Sequence, residues 1–273
     1  MFEDISKVVL LSDMDGTLLS TDKKITDTDR RAIEYFRELG GRFTVATGRT
    51  VQSFDQYRSM LGLKEPIIMY NGAAMYDYTS GKMLYTHPLP EAAGAYAAQL
   101  MELMPDVGGE VLRPEGTYVF SNTDYQQLHT RLCGIEPYYK ELEEIEDGGW
   151  LKVLFAMSPE DVDCMELLVK KLDYEDVDFV RSSEIFFEML PKGVSKGSAL
   201  AEYRKLGGME GCTFVSIGDF NNDIEMIVGA DLGACPANAE DSVKAKADLI
   251  LTRTNDEGAV SELIDHIIER CRS

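Results

Sequence analysis

The sequence predicts an α/β protein: a doubly wound, Rossmann-like parallel sheet split by an inserted α+β unit. Three observations carry this expectation. Short continuous apolar runs alternate with amphipathic stretches at both ends of the chain. That rhythm breaks between about residues 84 and 190. The polar residues that close the apolar runs fall where parallel strands should end, and ligands bind beyond such strand ends.

Taken in order, "KVVLLS" is an apolar run of the kind buried on both faces of a sheet. "TDTDRRAIEYFRELGG" places Ile33, Phe36 and Leu39 at helical spacing, with a Thr or Asp to cap the start and Gly40-Gly41 to end it. "RFTVAT" is the next strand, "TVQSFDQYRSMLG" a second helix, and "PIIMYNGA" a third strand closing on Asn-Gly. The middle block reads as helix (90–104), strand (116–122), helix (123–134), strand (151–157), capped helix (158–172) and two strands around a polar turn (177–191). After "PKGVSKG" the α/β rhythm resumes with helix 198–208, strand 212–219, helix 223–230, strands 232–235 and 247–252, and a terminal helix over 259–271. The expected division is therefore a core of residues 1–83 and 191–273 and an inserted domain of residues 84–190, a fair domain size.

Composition narrows the function. The 273 residues are 44% hydrophobic and 27% charged, as in a globular protein, with a formal net charge of -21. That balance argues against nucleic acid and anionic membranes as partners, since both call for clustered Lys and Arg. The five cysteines are scattered without CxxC spacing, so neither a disulfide framework nor a zinc site is expected, and a reducing cytoplasm fits. The N-terminus lacks a basic n-region, and no apolar stretch approaches the roughly 18 residues of a membrane span.

Four polar clusters stand at expected strand ends: Asp13 with Asp15, Thr47-Gly48-Arg49, Asn71-Gly72, and Asp219 with Asn222 and Asp223. Lys196, near a helix start and expected close to solvent, is a fifth candidate. Any one of them is ordinary turn or cap chemistry. Together they put several carboxylates into one crevice, which requires a counter-charge. Mg²⁺, a hard cation that prefers oxygen, supplies one. Carboxylates around a metal, a lysine and a hydroxyl are what phosphoryl transfer needs, with one Asp as nucleophile and another moving protons.

The ordered motifs "DMDGTLL", "TGR", "SKGSAL" and "GDFNNDIEM" resemble those of haloacid-dehalogenase-like hydrolases. The chain is most similar to the Cof-type phosphatases, whose α/β cap is inserted between the second and third motifs, and "YNGA" and "PANAEDSVKAKADLILT" resemble that branch's accessory stretches. The resemblance implies a Mg²⁺-dependent phosphoric monoester hydrolase acting on a small phosphorylated metabolite, with sugar phosphates as the class. It implies Asp13 as nucleophile and Asp15 as general acid/base and, through its carbonyl, metal ligand. Asp219 joins Asp13 on the metal and Asp223 supports the site. Thr47 and Lys196 hold the phosphoryl group, Gly48 and Arg49 shape their loop, and Asn222 contacts phosphate or substrate. Where the branch usually has Met-Gly-Asn-Ala this chain has "CPANA", which keeps Asn238 but puts Pro236 in the preceding turn.

The motifs leave a phosphohexomutase open as an alternative. A DxD glycosyltransferase would give Lys196 and "GDFNND" no role, and a phosphate-sensing receiver would need no inserted domain. Arg113, Tyr118, Trp150 and Arg181 are candidates to read the leaving group. A monomer or weak homodimer is expected.

Overall fold

The computed structural model describes residues 4–272. The first third follows the expected alternation: β1 (Val8–Ser12), α1 (Asp27–Glu38), β2 (Arg42–Val45), α2 (Val51–Leu61) and β3 (Ile67–Met69). Thr26 caps α1 by accepting from the Asp29 N–H, and Thr50 caps α2 in a reciprocal box with Ser53. The chain then makes a hairpin that the sequence did not announce: β4 (Ala74–Asp77) and β5 (Lys82–Thr86) fold back antiparallel on β3. Lys82, Leu84 and Thr86 are exposed on alternate positions, and the apolar run of β5 is only three residues long, Met83 to Tyr85.

The inserted unit contains α3 (Ala93–Leu103), β6 (Gly108–Arg113), β7 (Gly116–Ser121), α4 (Asp124–Cys133), β8 (Tyr138–Tyr139), β9 (Lys152–Ala156), α5 (Pro159–Leu172), β10 (Val177–Ser183) and β11 (Phe186–Pro191). Its strands form one sheet in the order β10-β11-β9-β6-β7-β8. β6 is central yet was not expected, because it opens on two glycines. A Cβ on Gly109 would lie 2.2 Å from the Phe120 ring, so glycine is what lets β7 lay that ring across the strand. Val111, Val153, Phe155, Phe187 and Met189 fill the core beneath α3 and α5. Register places Glu110, Leu154 and Glu188 in one cross-strand row and Leu112 beside Lys152 in the next, all on the opposite face. Leu112 and Leu154 pack with the first-domain core, which makes this face the roof of a cap.

The chain re-enters the core through α6 (Lys196–Tyr203), β12 (Thr213–Ile217), α7 (Ile224–Gly229), β13 (Leu232–Cys235), α8 (Asp241–Lys244), β14 (Leu249–Ile250) and α9 (Ala259–Arg272). β14-β13-β12-β1-β2 run parallel, and an Ala46–Ile68 bridge extends the sheet to β3. Alternate side chains of β1 serve two layers. Val8 and Leu10 join Ile33 and Phe36 of α1 and Ile264 and Ile267 of α9, while Val9 and Leu11 join Leu200 and Tyr203 of α6 and Met226 of α7. The sheet is thus doubly wound, as expected, and strand order reverses between β1 and β12. Ser12 pairs with Ile217 there, so Asp13 and Asp219 leave adjacent strand ends at the switch point. Among the described residues no helix is long and apolar enough to cross a membrane.

Candidate active site

Asp13 extends β1 by one residue, its N–H donating to the Ile217 carbonyl at 2.9 Å. Its side chain meets Lys196 from the first turn of α6. The ammonium lies 2.5 Å from Asp13 Oδ1 and 2.6 Å from Asp223 Oδ1. The Lys196 side chain is fully buried, contrary to the expectation of a solvent-facing residue, because α6 starts beneath the sheet edge and aims the chain inward. Burial alone would lower the affinity of its amine for a proton. Asp13 and Asp223 outweigh that and raise it above the ordinary value.

Asp219 follows β12 and accepts from Thr17 Oγ1 at 2.6 Å. Asp223 receives the Asp219 and Phe220 N–H groups on Oδ2 at 3.1 and 3.2 Å, which fixes the loop. Carboxylate oxygens of Asp13, Asp219 and Asp223 all fall within 4.8 Å of one another. Burial pushes Asp13 and Asp219 toward their protonated forms, and the neighbouring carboxylates add to it. Lys196 pairs with Asp13 and Asp223, while Asp219 has a hydroxyl as its side-chain partner and no ion pair among those described. An all-oxygen donor set with uncompensated negative charge fits a hard divalent cation. Gly16 makes the packing possible: its φ is +86°, and a Cβ there would lie 2.3 Å from Asp219 Oδ2.

Asp15 turns the other way. Arg49 grips it through two contacts, Nε to Oδ2 at 2.7 Å and Nη2 to Oδ1 at 2.8 Å, and Lys23 Nζ adds a third at 2.8 Å. Burial opposes ionisation of Asp15, but the guanidinium and ammonium override it and hold the carboxyl well below the usual range. Arg49 therefore serves Asp15 in this arrangement. Leu18 and Leu19 behind the loop are fully buried, and Asn238 Nδ2 donates to the Gly16 carbonyl at 2.8 Å, so Pro236 leaves that contact intact.

The remaining motif residues gather on the same side. Thr47 follows β2 and is 1% exposed. Tyr70 and Asn71 both hold left-handed φ values, 52° and 54°, a conformation that is costly outside glycine. Asn71 thereby reaches two partners: Asn222 Nδ2 donates to its Oδ1 at 3.1 Å, and its Nδ2 donates to Glu188 Oε2 at 2.6 Å. Lys152, 2.9 Å from Glu188 Oε2, donates to the Gly48 carbonyl at 2.9 Å. Glu188 and Lys152 stand on the cap, and nothing in their sequence context singled them out.

Between core and cap lies a cavity of about 430 Å³. Asp13, Asp15, Thr47, Gly48, Arg49, Asp219 and Asn222 line its core side. The cap candidates Arg113, Tyr118, Trp150 and Arg181 are not among its lining residues. Arg113 is paired with Glu115 and Arg181 with Asp163, Tyr118 stacks on Tyr138, and Trp150 is buried with its Nε1–H on the Glu146 carbonyl.

Known proteins resemble this chain in sequence and fold. Residues 10–264 match the haloacid dehalogenase-like hydrolase family. The chain is 29% identical to the 5-amino-6-(5-phospho-D-ribitylamino)uracil phosphatase YcsE of Bacillus subtilis, covering 97% of each. It is 24% identical to the pyridoxal phosphate phosphatase YbhA of Escherichia coli, covering 95% of this chain and 98% of that one. Its fold matches a solved haloacid dehalogenase-like hydrolase from Bacteroides thetaiotaomicron with a TM-score of 0.80 at 25% identity, over 95% and 98% of the two chains. With DxDGT, a buried motif lysine and the distal acidic loop meeting under an α/β cap, the chain belongs to the haloacid dehalogenase-like hydrolases, in their Cof-type phosphatase branch.

Proposed function

We propose that this hydrolase releases phosphate from a small phosphorylated metabolite in two steps, through an aspartyl phosphate on Asp13, and that the reaction depends on Mg²⁺. One observation carries the reading: Asp13 stands on a buried ammonium, beside Asp219 and Asp223, at the floor of a capped cavity that Thr47 also lines. The relatives' names, phosphatases of a ribitylaminouracil phosphate and of pyridoxal phosphate, support a small phosphorylated metabolite as substrate. We divide the chain into a catalytic core, residues 1–83 and 191–273, and a cap, residues 84–190.

An Asp13 carboxylate oxygen attacks phosphorus, and the bond to the leaving oxygen breaks. Lys196 and the Thr47 hydroxyl hold the phosphoryl oxygens, and Asn222 orients the ester. Asp13, Asp219 and the Asp15 carbonyl would hold Mg²⁺, with Asp223 in support. Mg²⁺ when bound supplies charge neutralisation as the phosphoryl group transfers. Asp15 protonates the leaving oxygen, then takes a proton from the water that attacks the aspartyl phosphate. Since Asp15 is tied as a carboxylate to Arg49 and Lys23, it must exchange one of those contacts for the ester before it can carry a proton.

The test is rapid-quench kinetics on p-nitrophenyl phosphate, whose leaving phenolate needs no acid. Asp15→Asn should give a burst of about one phenolate per site and then stall as phosphoenzyme, while Asp13→Asn gives none. Parent turnover should vanish in EDTA and return with Mg²⁺. A burst from Asp13→Asn, or full turnover in EDTA, would overturn the proposal. Isomerised sugar phosphate in place of free phosphate would indicate a mutase.

A further inference from the structure

α4 carries a second set of reactive groups to the cavity. Gln126, His129 and Cys133 fall at i, i+3 and i+7, one face of the helix, and α4 packs on β6, which bears Glu110. Gln126 Nε2 donates to Glu110 Oε2 at 2.5 Å, Glu110 Oε1 lies 3.1 Å from His129 Nδ1, and His129 Nε2 lies 3.3 Å from Cys133 Sγ. Glu110 is fully buried and His129 is 8% exposed, and the Phe186 ring meets the imidazole edge-on with centroids 4.8 Å apart. Cys133, by contrast, is half-buried, and both it and His129 line the cavity.

Carboxylate, imidazole and thiol thus stand in line. A nucleophile within hydrogen-bond reach of a base, with that base oriented by a third group, is the signature of an activated nucleophile. Glu110 holds the ring in place and strengthens Nε2 as an acceptor for the thiol proton. The core adds a second cation, since Cys133 lies within electrostatic reach of the Arg49 guanidinium. A partly exposed sulfur between a guanidinium and an imidazole sits in the electropositive setting in which thiols react. Glu110 and Cys133 lie against opposite ring nitrogens, so the three groups do not converge on a metal ion; among the described residues the groups that do are Asp13, Asp219 and Asp223. Neither transfer of a phosphoryl group to Asp13 nor its hydrolysis needs any of the three.

We propose that Cys133 is a modification site: a peroxide-reactive thiol, activated by His129 and Glu110, whose conversion to a mixed disulfide with a small thiol closes the cavity. The sulfur attacks one peroxide oxygen, the O–O bond breaks, and His129 passes the thiol proton to the departing hydroxide, leaving water and a sulfenic acid. The sulfur gives up two electrons and the peroxide takes them. A small thiol then attacks that sulfur: an S–S bond forms, the S–O bond breaks, and the thiol proton leaves with the hydroxyl as a second water. Excess thiol reverses the adduct. Cys133 ends α4, and its carbonyl accepts from Gln56 Nε2 of the core at 3.3 Å, so the adduct stands where cap and core meet. The loss of turnover rests on the phosphatase reading above; the reactivity of the thiol does not.

The test exposes the whole chain, with Mg²⁺, to hydrogen peroxide and glutathione at pH 7 and follows each cysteine by peptide mass. The exposed Cys164 is the internal control. An unassisted thiol is about 3% ionised at that pH, which leaves activation roughly thirtyfold to gain, and partial burial takes back a share. Cys133 should therefore carry glutathione about tenfold faster than Cys164. Turnover of p-nitrophenyl phosphate should fall in step with Cys133 occupancy and return with dithiothreitol, while Cys133→Ser keeps the parent rate and resists the treatment. His129→Gln, shown folded by circular dichroism, should bring Cys133 within about twofold of Cys164. Labelling of Cys164 ahead of Cys133, an unchanged Cys133 rate in folded His129→Gln, or parent turnover by chains fully labelled at Cys133 would each overturn the proposal. Equal inhibition of Cys133→Ser would put the sensitive group elsewhere and overturn it too. A chain that releases no phosphate before treatment would overturn the phosphatase reading, and the order of labelling alone would then uphold or overturn the reactive thiol.

Discussion

Gly16→Ala separates two costs that usually arrive together. Gly16 holds φ at +86°, and a Cβ there would sit 2.3 Å from Asp219 Oδ2 and 2.8 Å from its Cγ. Gly193 holds φ at +72°, and a Cβ there would meet nothing within 4 Å, which makes Gly193→Ala the control. Both variants carry the left-handed penalty of an L residue, about 1–2 kcal/mol. At about 2–4 °C per kcal/mol for a chain this long, each should melt about 2–8 °C below the parent. In Gly16→Ala alone, Asp219 must also retreat by about 1 Å to reach ordinary van der Waals distance. That retreat strains its 2.6 Å bond from Thr17 and changes the spacing of the carboxylates that it shares with Asp13 and Asp223. A displacement of that size costs about a hundredfold in rate. Steady-state kinetics on p-nitrophenyl phosphate across a Mg²⁺ titration should therefore show kcat/KM down about a hundredfold and half-saturating Mg²⁺ raised in Gly16→Ala, with both nearly unchanged in Gly193→Ala. Equal activity in the two variants would refute the reasoning, because it would mean that the close approach to Asp219 sets nothing in the site.

Two further perturbations follow from the charge arrangement. Lys196→Ala removes the ammonium between two buried carboxylates, so urea unfolding should show a stability loss of about 3 kcal/mol, with kcat down at least about a hundredfold; an unshifted unfolding midpoint would contradict the burial of the pair. His129 is buried, which on its own would lower its proton affinity, but Cys133 and Glu110 raise the folded value well above the free imidazole's value of about 6.5. The folded state thus binds this proton more tightly, so its stabilisation is complete below about pH 6.5 and fades as pH rises through the folded value. The stability gap between parent and His129→Gln, about 3 kcal/mol at pH 6, should narrow by pH 10; a gap that stays constant or widens would refute the assignment.

What the sequence conveyed, and what it withheld, divides by the range of the interaction. Asp13, Thr47 and Asp219 stood out because each closes an apolar run, and Asp15 and Asp223 because each follows within a few residues of such an end; a strand end is local information. The depth of Lys196 was not legible, since it depends on α6 packing under a sheet whose middle strands lie far away in the chain. The Arg49 grip on Asp15 spans 34 positions and the Asn71–Glu188 bond spans 117, so neither leaves a trace in spacing. β6 hid behind Gly108 and Gly109, residues that lower strand propensity and are needed here because Phe120 lies over them. The hairpin of β4 and β5 escaped for a different reason: β5 is a short edge strand, and Leu84 on its exposed face breaks the apolar–polar alternation.

The seam between cap and core also bears on how the cavity admits a ligand. Lys152 and Glu188 both belong to the cap sheet, so their ionic contact travels intact when the layers part. The bonds from this pair that rupture are those to the Gly48 carbonyl and the Asn71 amide, neither of which carries a net charge, and the bonds from Gln52, Gln56 and Tyr70 to cap carbonyls are likewise between neutral groups. Gating therefore uncovers an ion pair already neutralised within its own layer, and among the described residues the one ion pair that joins the two divisions, Lys192 with Asp178, lies at the chain crossing that follows β11. Ionic strength, which screens separated charges strongly and a compact neutral pair weakly, should leave the rate of cap opening nearly untouched, whatever it does to the encounter of an anionic ester with a chain of net charge -21.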